Sequence, residues 1–185
     1  MLPMAMHAQY TIYPVPHEQT AGTGKVSFTK NVNVICDNGI DQYTKKRVTN
    51  VFAEKGITVN FSDAASTTES NVYLGINGAK GKGNEVATSL GLALDVLSKE
   101  NKFDRHILSL TDAGNGVAQL LVLGENTDAT FMGLASLEQI LDNGTSDLQT
   151  VTLNDYADLK ERGIIEGFYG KPYSSEVRKD LLRFM

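Results

Sequence analysis

Residues 162 to 173 read RGIIEGFYGKPY, and this stretch restricts the fold more than any other in the chain. Ile164 and Ile165 lead into Glu166 and then into two glycines bracketing two aromatics, the pattern of a buried strand that delivers its C-terminal end to a ligand. Gly167 and Gly170 lack a Cβ, so the backbone there can turn sharply or let a ligand approach, while Phe168 and Tyr169 offer a flat face and a hydroxyl. Pro172 holds the chain extended, Ser174 or Ser175 can cap a helix, and Val177, Leu181, Leu182 and Met185 share one face of it. Strand, glycine-aromatic loop and helix in that order make a βα unit of the kind repeated in (β/α)8 barrels, whose active sites lie on such loops. A barrel needs roughly 250 residues and the sequence has 185. Residues 156–185 are therefore expected to be the truncated start of a barrel, with a separate domain over residues 10–155. Such a cut piece is expected to be disordered, docked on the small domain, or paired with another copy, because a lone parallel strand leaves its backbone groups unpaired.

The body of the chain reads as alternating strands and helices. YTIYPVP, Tyr10 to Pro16, is interrupted by two prolines and suits an edge strand or an extended arm. Gly22 and Gly24 signal a turn. Val26 to Ile35 then alternates as a strand, with Val26, Phe28, Val32 and Val34 on one side if the chain kinks near Lys30-Asn31. Ile40 to Lys55 is an amphipathic helix with Ile40, Tyr43, the Arg47 stem, Val48, Val51 and Phe52 inward and Gly56 as its stop. Ile57 to Phe61 is a strand, Ser62 to Ser70 a loop, and NVYLGI from Asn71 to Ile76 a central strand covered on both sides. Gly78, Gly81 and Gly83 with two lysines raise a phosphate cradle, but the glycine spacing matches neither phosphate-binding pattern, and a surface loop is expected. Glu85 to Lys99 reads as a helix through Val86, Leu90, Leu94 and Leu97, weakened by Gly91. Arg105 to Leu110 and Val117 to Gly124 should pair antiparallel across a turn. Asn126 or Thr127 then caps a helix whose stripe is Phe131, Leu134, Leu137 and Leu141, closed by Asn143-Gly144. Leu148 to Leu153 is a last strand. The expected fold is α/β (α+β), a mixed sheet with two or three helices packed mainly on one face.

An apolar fraction of 41% and a charged fraction of 21% belong to a globular domain rather than a disordered tail. The net charge of −5 disfavours nucleic acid and membrane surfaces as partners, since Lys45-Lys46-Arg47 and Lys80 to Lys82 are too short to make a basic patch. The one cysteine, Cys36, lies against the apolar run Val32 to Ile35 and is expected to be a small buried hydrophobe. Residues 1–9 have neither the charged start nor the apolar core of a secretory signal and read as an expression remnant or a disordered lead-in. His7, His17 and His106 are too scattered for a metal site, no nucleophile elbow is present, and no cofactor is expected.

The RGIIEGFYGKP run resembles the opening of the catalytic barrel in glycoside hydrolase family 84, the hyaluronidase-type and O-GlcNAcase-type β-N-acetylglucosaminidases. That family usually carries Trp where this chain has Tyr173. GENTDATFMGLASLEQIL, from Gly124 to Leu141, resembles the end of the small N-terminal domain of family 84 and family 20 hexosaminidases, with Met132 where Tyr is common. The resemblance implies a hexosaminidase N-terminal-domain-like fold, followed in cis by a barrel that hydrolyses N-acetylglucosamine-containing glycans, in a secreted or cell-surface bacterial protein. It also implies substrate-assisted catalysis, in which one carboxylate orients the 2-acetamido group and a second protonates the leaving oxygen. Family 84 uses two consecutive aspartates for this, and the chain contains no Asp-Asp pair. No catalytic residue is therefore assigned, and the chain alone is expected to be inactive. By resemblance Gly167 contacts the sugar through its backbone and Tyr169 lines the N-acetyl pocket, whereas Glu166 is structural. The competing reading is a scaffolding or carbohydrate-binding module. With no Trp and most aromatics in expected core positions, scaffolding is the better fit of those two.

Overall fold

The computed structural model describes residues 10–163, 165 and 170–184, with side chains described through Leu182. A seven-stranded mixed sheet runs in the order β1-β7-β5-β6-β4-β2-β3, where the strands are β1 Glu18–Val26, β2 Asn31–Cys36, β3 Thr58–Phe61, β4 Ser70–Ile76, β5 Phe103–Asp112, β6 Ala118–Gly124 and β7 Leu148–Ala157. The half built from β3, β2, β4 and β6 is parallel. From β6 through β5 and β7 to β1 it is antiparallel. Among the described residues four α-helices accompany it: α1 Gln42–Ala53, α2 Lys82–Ser89, α3 Thr127–Leu141 and α4 Ser175–Phe184, with a 3-10 turn at Asp95–Ser98.

The strand alternation sets the two faces. Val72 and Leu74 of β4, Leu120 and Val122 of β6 and Leu108 and Leu110 of β5 join Val48, Val51 and Phe52 of α1 and Leu134, Leu137 and Ile140 of α3 in one core. The opposite residues, Tyr73, Leu121, Leu123 and Ile107, pack on Ala87 of α2 and on Val96 and Leu97 of the 3-10 turn. Helices thus cover both faces of the central strands rather than mainly one, and this is why β4 reads as a continuous apolar run. The strand expected over Asn71 to Ile76 and the β5-turn-β6 hairpin are present. In the hairpin turn Asp112 Oδ1 accepts from Gly114 N at 2.7 Å and Gly116 N at 3.0 Å.

Several elements differ from expectation for identifiable reasons. Gly22 and Gly24 lie inside β1, not at a turn, because a Cβ on Gly22 would come within 2.2 Å of Thr150 Oγ1 on β7. The strand expected from Val26 to Ile35 is the end of β1 plus all but the last residue of β2, although Val26, Phe28, Val32 and Val34 do share one core. Of the two readings for Tyr10 to Pro16 it is the arm: Tyr13 N donates to Gln139 Oε1 at 2.8 Å, and Gln139 Nε2 donates back to Tyr13 O at 2.9 Å, seating it on α3. Tyr43 points outward at 67% exposure, because Thr44 takes the inward position one turn before Val48. The helix expected over Glu85 to Lys99 breaks at Gly91, whose φ is +64°, leaving α2 and the 3-10 turn as separate pieces. β7 runs on to Ala157, beyond the expected Leu153. Near the C-terminus α4 is present, with Ser174 Oγ accepting from Val177 N at 3.3 Å. Ile164 and the run Glu166 to Tyr169, on which the expected barrel strand and its loop fall, lie outside the described residues.

Candidate functional site

In sheets of this kind ligands bind beyond the carboxyl ends of parallel strands, where neighbouring connections leave for opposite faces. β2 leads to α1 on one face and β4 to α2 on the other, so the space between their ends is the natural crevice. It is filled by the protein's own Asp37. The carboxylate is 5% exposed; Oδ2 accepts from Ile76 N at 3.2 Å, and Oδ1 accepts from Gly83 N, in the first turn of α2, at 3.1 Å. The surrounding glycines make room for it. A Cβ on Gly81 would lie 2.1 Å from Asp37 Oδ1, and one on Gly83 would lie 2.7 Å from Oδ2. Gly75 and Gly83 meet so closely that a Cβ on the first would sit 2.8 Å from the Cα of the second. An anion at a helix N-terminus satisfies the free amides of the first turn. Here that anion is a side chain, and the glycine-rich loop that suggested a phosphate cradle has its cradle occupied from within.

The Gly124 to Thr130 segment joins β6 and α3 to α1, β4 and β5. Asn126 Oδ1 caps α3 by accepting from Ala129 N at 2.8 Å. Thr127 Oγ1 reaches α1, accepting from Asp41 N at 3.1 Å, while Asp41 itself caps α1 by accepting from Thr44 N at 2.7 Å. Thr130 Oγ1 donates to Gly75 O of β4 at 2.7 Å. Glu125 accepts from Arg105 Nε of β5 at 2.9 Å and also from its Nη2 and backbone N. Burial raises the Glu125 carboxyl, but the Arg105 hydrogen bonds outweigh it and hold the group below the usual carboxylate range. The residues that carried the second resemblance therefore have a structural task. Of its expected stripe, Leu134, Leu137 and Leu141 are buried, whereas Phe131 lies at the margin with the Arg47 guanidinium 4.6 Å from its ring centre.

Burial also acts against the charged forms of Cys36 and His106. Cys36 is partly buried beside the core, and burial, its largest influence, pushes the thiol up to about 11. At pH 8 its reaction with a disulfide reagent is expected to be roughly a hundredfold slower than that of free cysteine. Unfolding in urea should restore the ordinary rate, and an ordinary rate in the native protein would contradict the placement. His106 of β5 is 4% exposed, its Nδ1 lies 2.8 Å from Asp104 O, and its Nε2 has no hydrogen-bond partner among the described residues. Burial lowers its pKa from 6.5, outweighing the Asp104 carbonyl and the charges of Asp155 and Asp104, which act the other way. The folded state thus keeps the ring neutral where the unfolded chain protonates it. Stability is expected to be intact above about pH 6.5 and to fall as pH drops below it, with a slope from this group of at most about 1.4 kcal/mol per pH unit. Urea midpoints of the wild type and His106→Phe, compared at pH 7.5 and 5.5, test this; equal losses would remove His106 as the cause.

The sequence-predicted site residues Gly167 and Tyr169, and Glu166 beside them, lie outside the described residues. Among the described residues no group of three His, Cys, Asp or Glu side chains is placed to hold a metal ion. No described helix is long and apolar enough to cross a membrane. A shallow groove of about 340 Å³ lies on the outer antiparallel strands, lined by Thr20, Gly22, Gly24, Thr150 and Thr152 among others and by no aromatic residue. It offers hydroxyls but no ring for a sugar to stack on.

The fold matches known ones. The solved structure of CpGH84D superposes with a TM-score of 0.84 at 32% sequence identity, over 95% of this chain and 28% of that one. CpGH84B gives 0.73 at 25% identity, over 95% of this chain and 27% of that one. The chain thus spans under a third of the length of these similar proteins. The family described as "Glycosyl hydrolase family 20, domain 2" matches residues 9–156, which take in the whole sheet but for Ala157, together with α1, α2 and α3. With the sheet order, the helices on both faces and this match in agreement, the chain belongs to the glycosyl hydrolase family 20, domain 2, family, the N-terminal domain of hexosaminidase-type glycoside hydrolases.

Proposed function

We propose that this domain supports, without itself catalysing, the barrel of a retaining β-N-acetylglucosaminidase that cleaves N-acetylglucosamine-containing glycans by substrate-assisted catalysis, in a secreted or cell-surface bacterial protein. The observation that carries the reading is the likeness to CpGH84D along 95% of this chain but only 28% of that protein, the proportion of one domain within a larger hydrolase. The closed crevice at Asp37 supports a scaffolding task, because the place where such a sheet would hold a ligand is taken by its own carboxylate. In this reading Gly167 and Tyr169 belong to the substrate pocket and act only in the presence of the barrel.

The experiment compares two proteins on a chromogenic N-acetylglucosaminide: this chain alone, and a form in which it is followed by a family 84 barrel carrying the paired aspartates. Turnover by the longer form and none by this chain is expected. A longer form inert on N-acetylglucosaminides, or an active isolated chain, would defeat the proposal. Amide shifts of residues 10–157 are expected to stay in place when the chain is titrated with N-acetylglucosamine oligomers. Saturable shifts along Thr20, Thr150 and Thr152 would instead favour a carbohydrate-binding module.

A further inference from the structure

β5 begins with an irregularity. Its register against β7 shifts between Phe103 and His106, and Asp104 within the shift has φ +51°, a left-handed backbone uncommon for a residue with a side chain. Bulges re-aim side chains that a regular strand would send to one face of the sheet. Here the bulge splits Asp104 between two tasks. Its carbonyl is taken by buried His106, whose Nδ1 lies 2.8 Å away. Its carboxylate turns outward and accepts from Arg162 Nη2.

Arg162 belongs to the segment that leaves the sheet after β7. Its Nη1 donates to Leu159 O at 2.7 Å, so the guanidinium folds this short segment into a hook while holding it to β5. The beginning of the segment is held as well. Asp158 accepts from Lys102 Nζ at 2.5 Å and lies 3.6 Å from His17 Nε2. His17 stacks on Tyr156 with ring centres 3.6 Å apart, and its Nδ1 is 2.9 Å from Asp155 Oδ1. Lys102 and the His17 charge hold the Asp158 carboxyl below its usual range, the hydrogen bond from Lys102 being the leading cause. Asp158 and Arg162 are thus gripped at two places, by groups from the start of β1 and the start of β5.

We propose that the β5 bulge, Arg162 and Asp158 form a latch that sets the direction in which the chain leaves the sheet. The chain up to Gly163 is then held at a set angle to the sheet instead of on a free hinge. Segments joining domains are ordinarily exposed and mobile, and relative motion across them is the default. Two ion pairs to the start of β5, Lys102–Asp158 and Asp104–Arg162, remove that freedom, the second made possible by a left-handed aspartate. The pairs are half-exposed, so the latch is sensitive to salt.

Lys160 lies between the two grips, and cleavage after it by a lysine-specific protease under native conditions reports their opening. Arg162→Gln and Asp104→Gly are each expected to speed that cleavage roughly fivefold, the change expected for loss of one exposed ion pair. The double variant should be no faster than either single one, since both break the same contact. Asp104→Gly separates the latch from general stability: glycine accepts the left-handed backbone and keeps the carbonyl that His106 uses, so its melting temperature should match or exceed the wild type while Lys160 becomes more accessible. Raising NaCl to about 1 M should speed cleavage of the wild type more than that of the variants, which keep only the Lys102–Asp158 pair. Equal rates in wild type and Arg162→Gln overturn the proposal, as does a double variant whose effect is the product of the single ones. Arg162 is exposed, so its variant is folded whatever becomes of Asp104→Gly.

Discussion

Gly124→Ala is expected to destabilise the domain by about 3 kcal/mol or more and to yield little soluble protein. A Cβ at this position would lie 2.4 Å from Thr130 N, 2.7 Å from Asn126 O and 2.7 Å from Thr130 Oγ1. Two of these atoms are backbone at the start of α3, so no side-chain rotation relieves the overlap. Either β6 or the first turn of α3 must move, and that turn carries the Asn126 cap, the Thr127 contact with α1 and the Thr130 bond to Gly75 O. Near-total loss of the bonds at this joint is therefore coupled to one added methyl. For a domain of this size the melting temperature should fall by roughly 6–12 °C. Gly163→Ala is the control, because nothing lies within 4 Å of a Cβ there, and its melting temperature should match the wild type. A well-folded Gly124→Ala protein with an unchanged melting temperature would show that the β6-α3 joint is looser than described.

Asp37 gives the second large effect. Asp37→Ala should cost about 2–4 kcal/mol, because the amides of Ile76 and Gly83 lose their acceptor in a place that water reaches poorly. Gly81→Ala should cost about 2 kcal/mol in the wild type, since its Cβ would overlap Asp37 Oδ1 at 2.1 Å. The two changes should not add. Asp37→Ala removes the contacts at 2.1 and 2.4 Å and leaves only the Cβ of residue 37 at 3.0 Å, so the double variant is expected to be more stable than the sum of the single losses by about 1–2 kcal/mol. Chemical denaturation of the four proteins measures this coupling. Simple additivity would mean that the glycine loop is not shaped around Asp37, and that the crevice at the ends of β2 and β4 is more open than the structure has it.

Local patterns were sufficient for much of this fold. The spacing of Leu134, Leu137 and Leu141 defines the inward face of α3, and an asparagine before a threonine-aspartate pair marks its start. The alternating residues of β5 and β6 around an Asp-Ala-Gly-Asn-Gly turn define a hairpin, because turn chemistry and side-chain period act within a few residues of each other. The family of the domain was legible for a related reason. In the Gly124 to Leu141 run Glu125, Thr127 and Thr130 each satisfy a group on a different element, so the sequence there is tied to one arrangement.

What local pattern could not supply was the identity of partners distant in the chain. Gly22 and Gly24 look like a turn until Thr150 of β7, 128 and 126 residues further on, is seen to occupy the space a side chain at Gly22 would need and to accept from Gly24 N. Gly81 and Gly83 look like an anion cradle until the anion proves to be Asp37. Tyr43 and Thr44 compete for one inward position, and helical spacing alone favours the larger apolar ring, yet contact with Thr127 of α3 selects the threonine. Sequence by itself determined most of the strands and helices, the inward stripe of α3 and the β5-β6 hairpin, and which family the chain resembles. Only the tertiary structure decided why its glycines are glycines, how helices come to cover both sides of the sheet, and how Arg162 finds Asp104, since each depends on atoms that meet only once the sheet has closed.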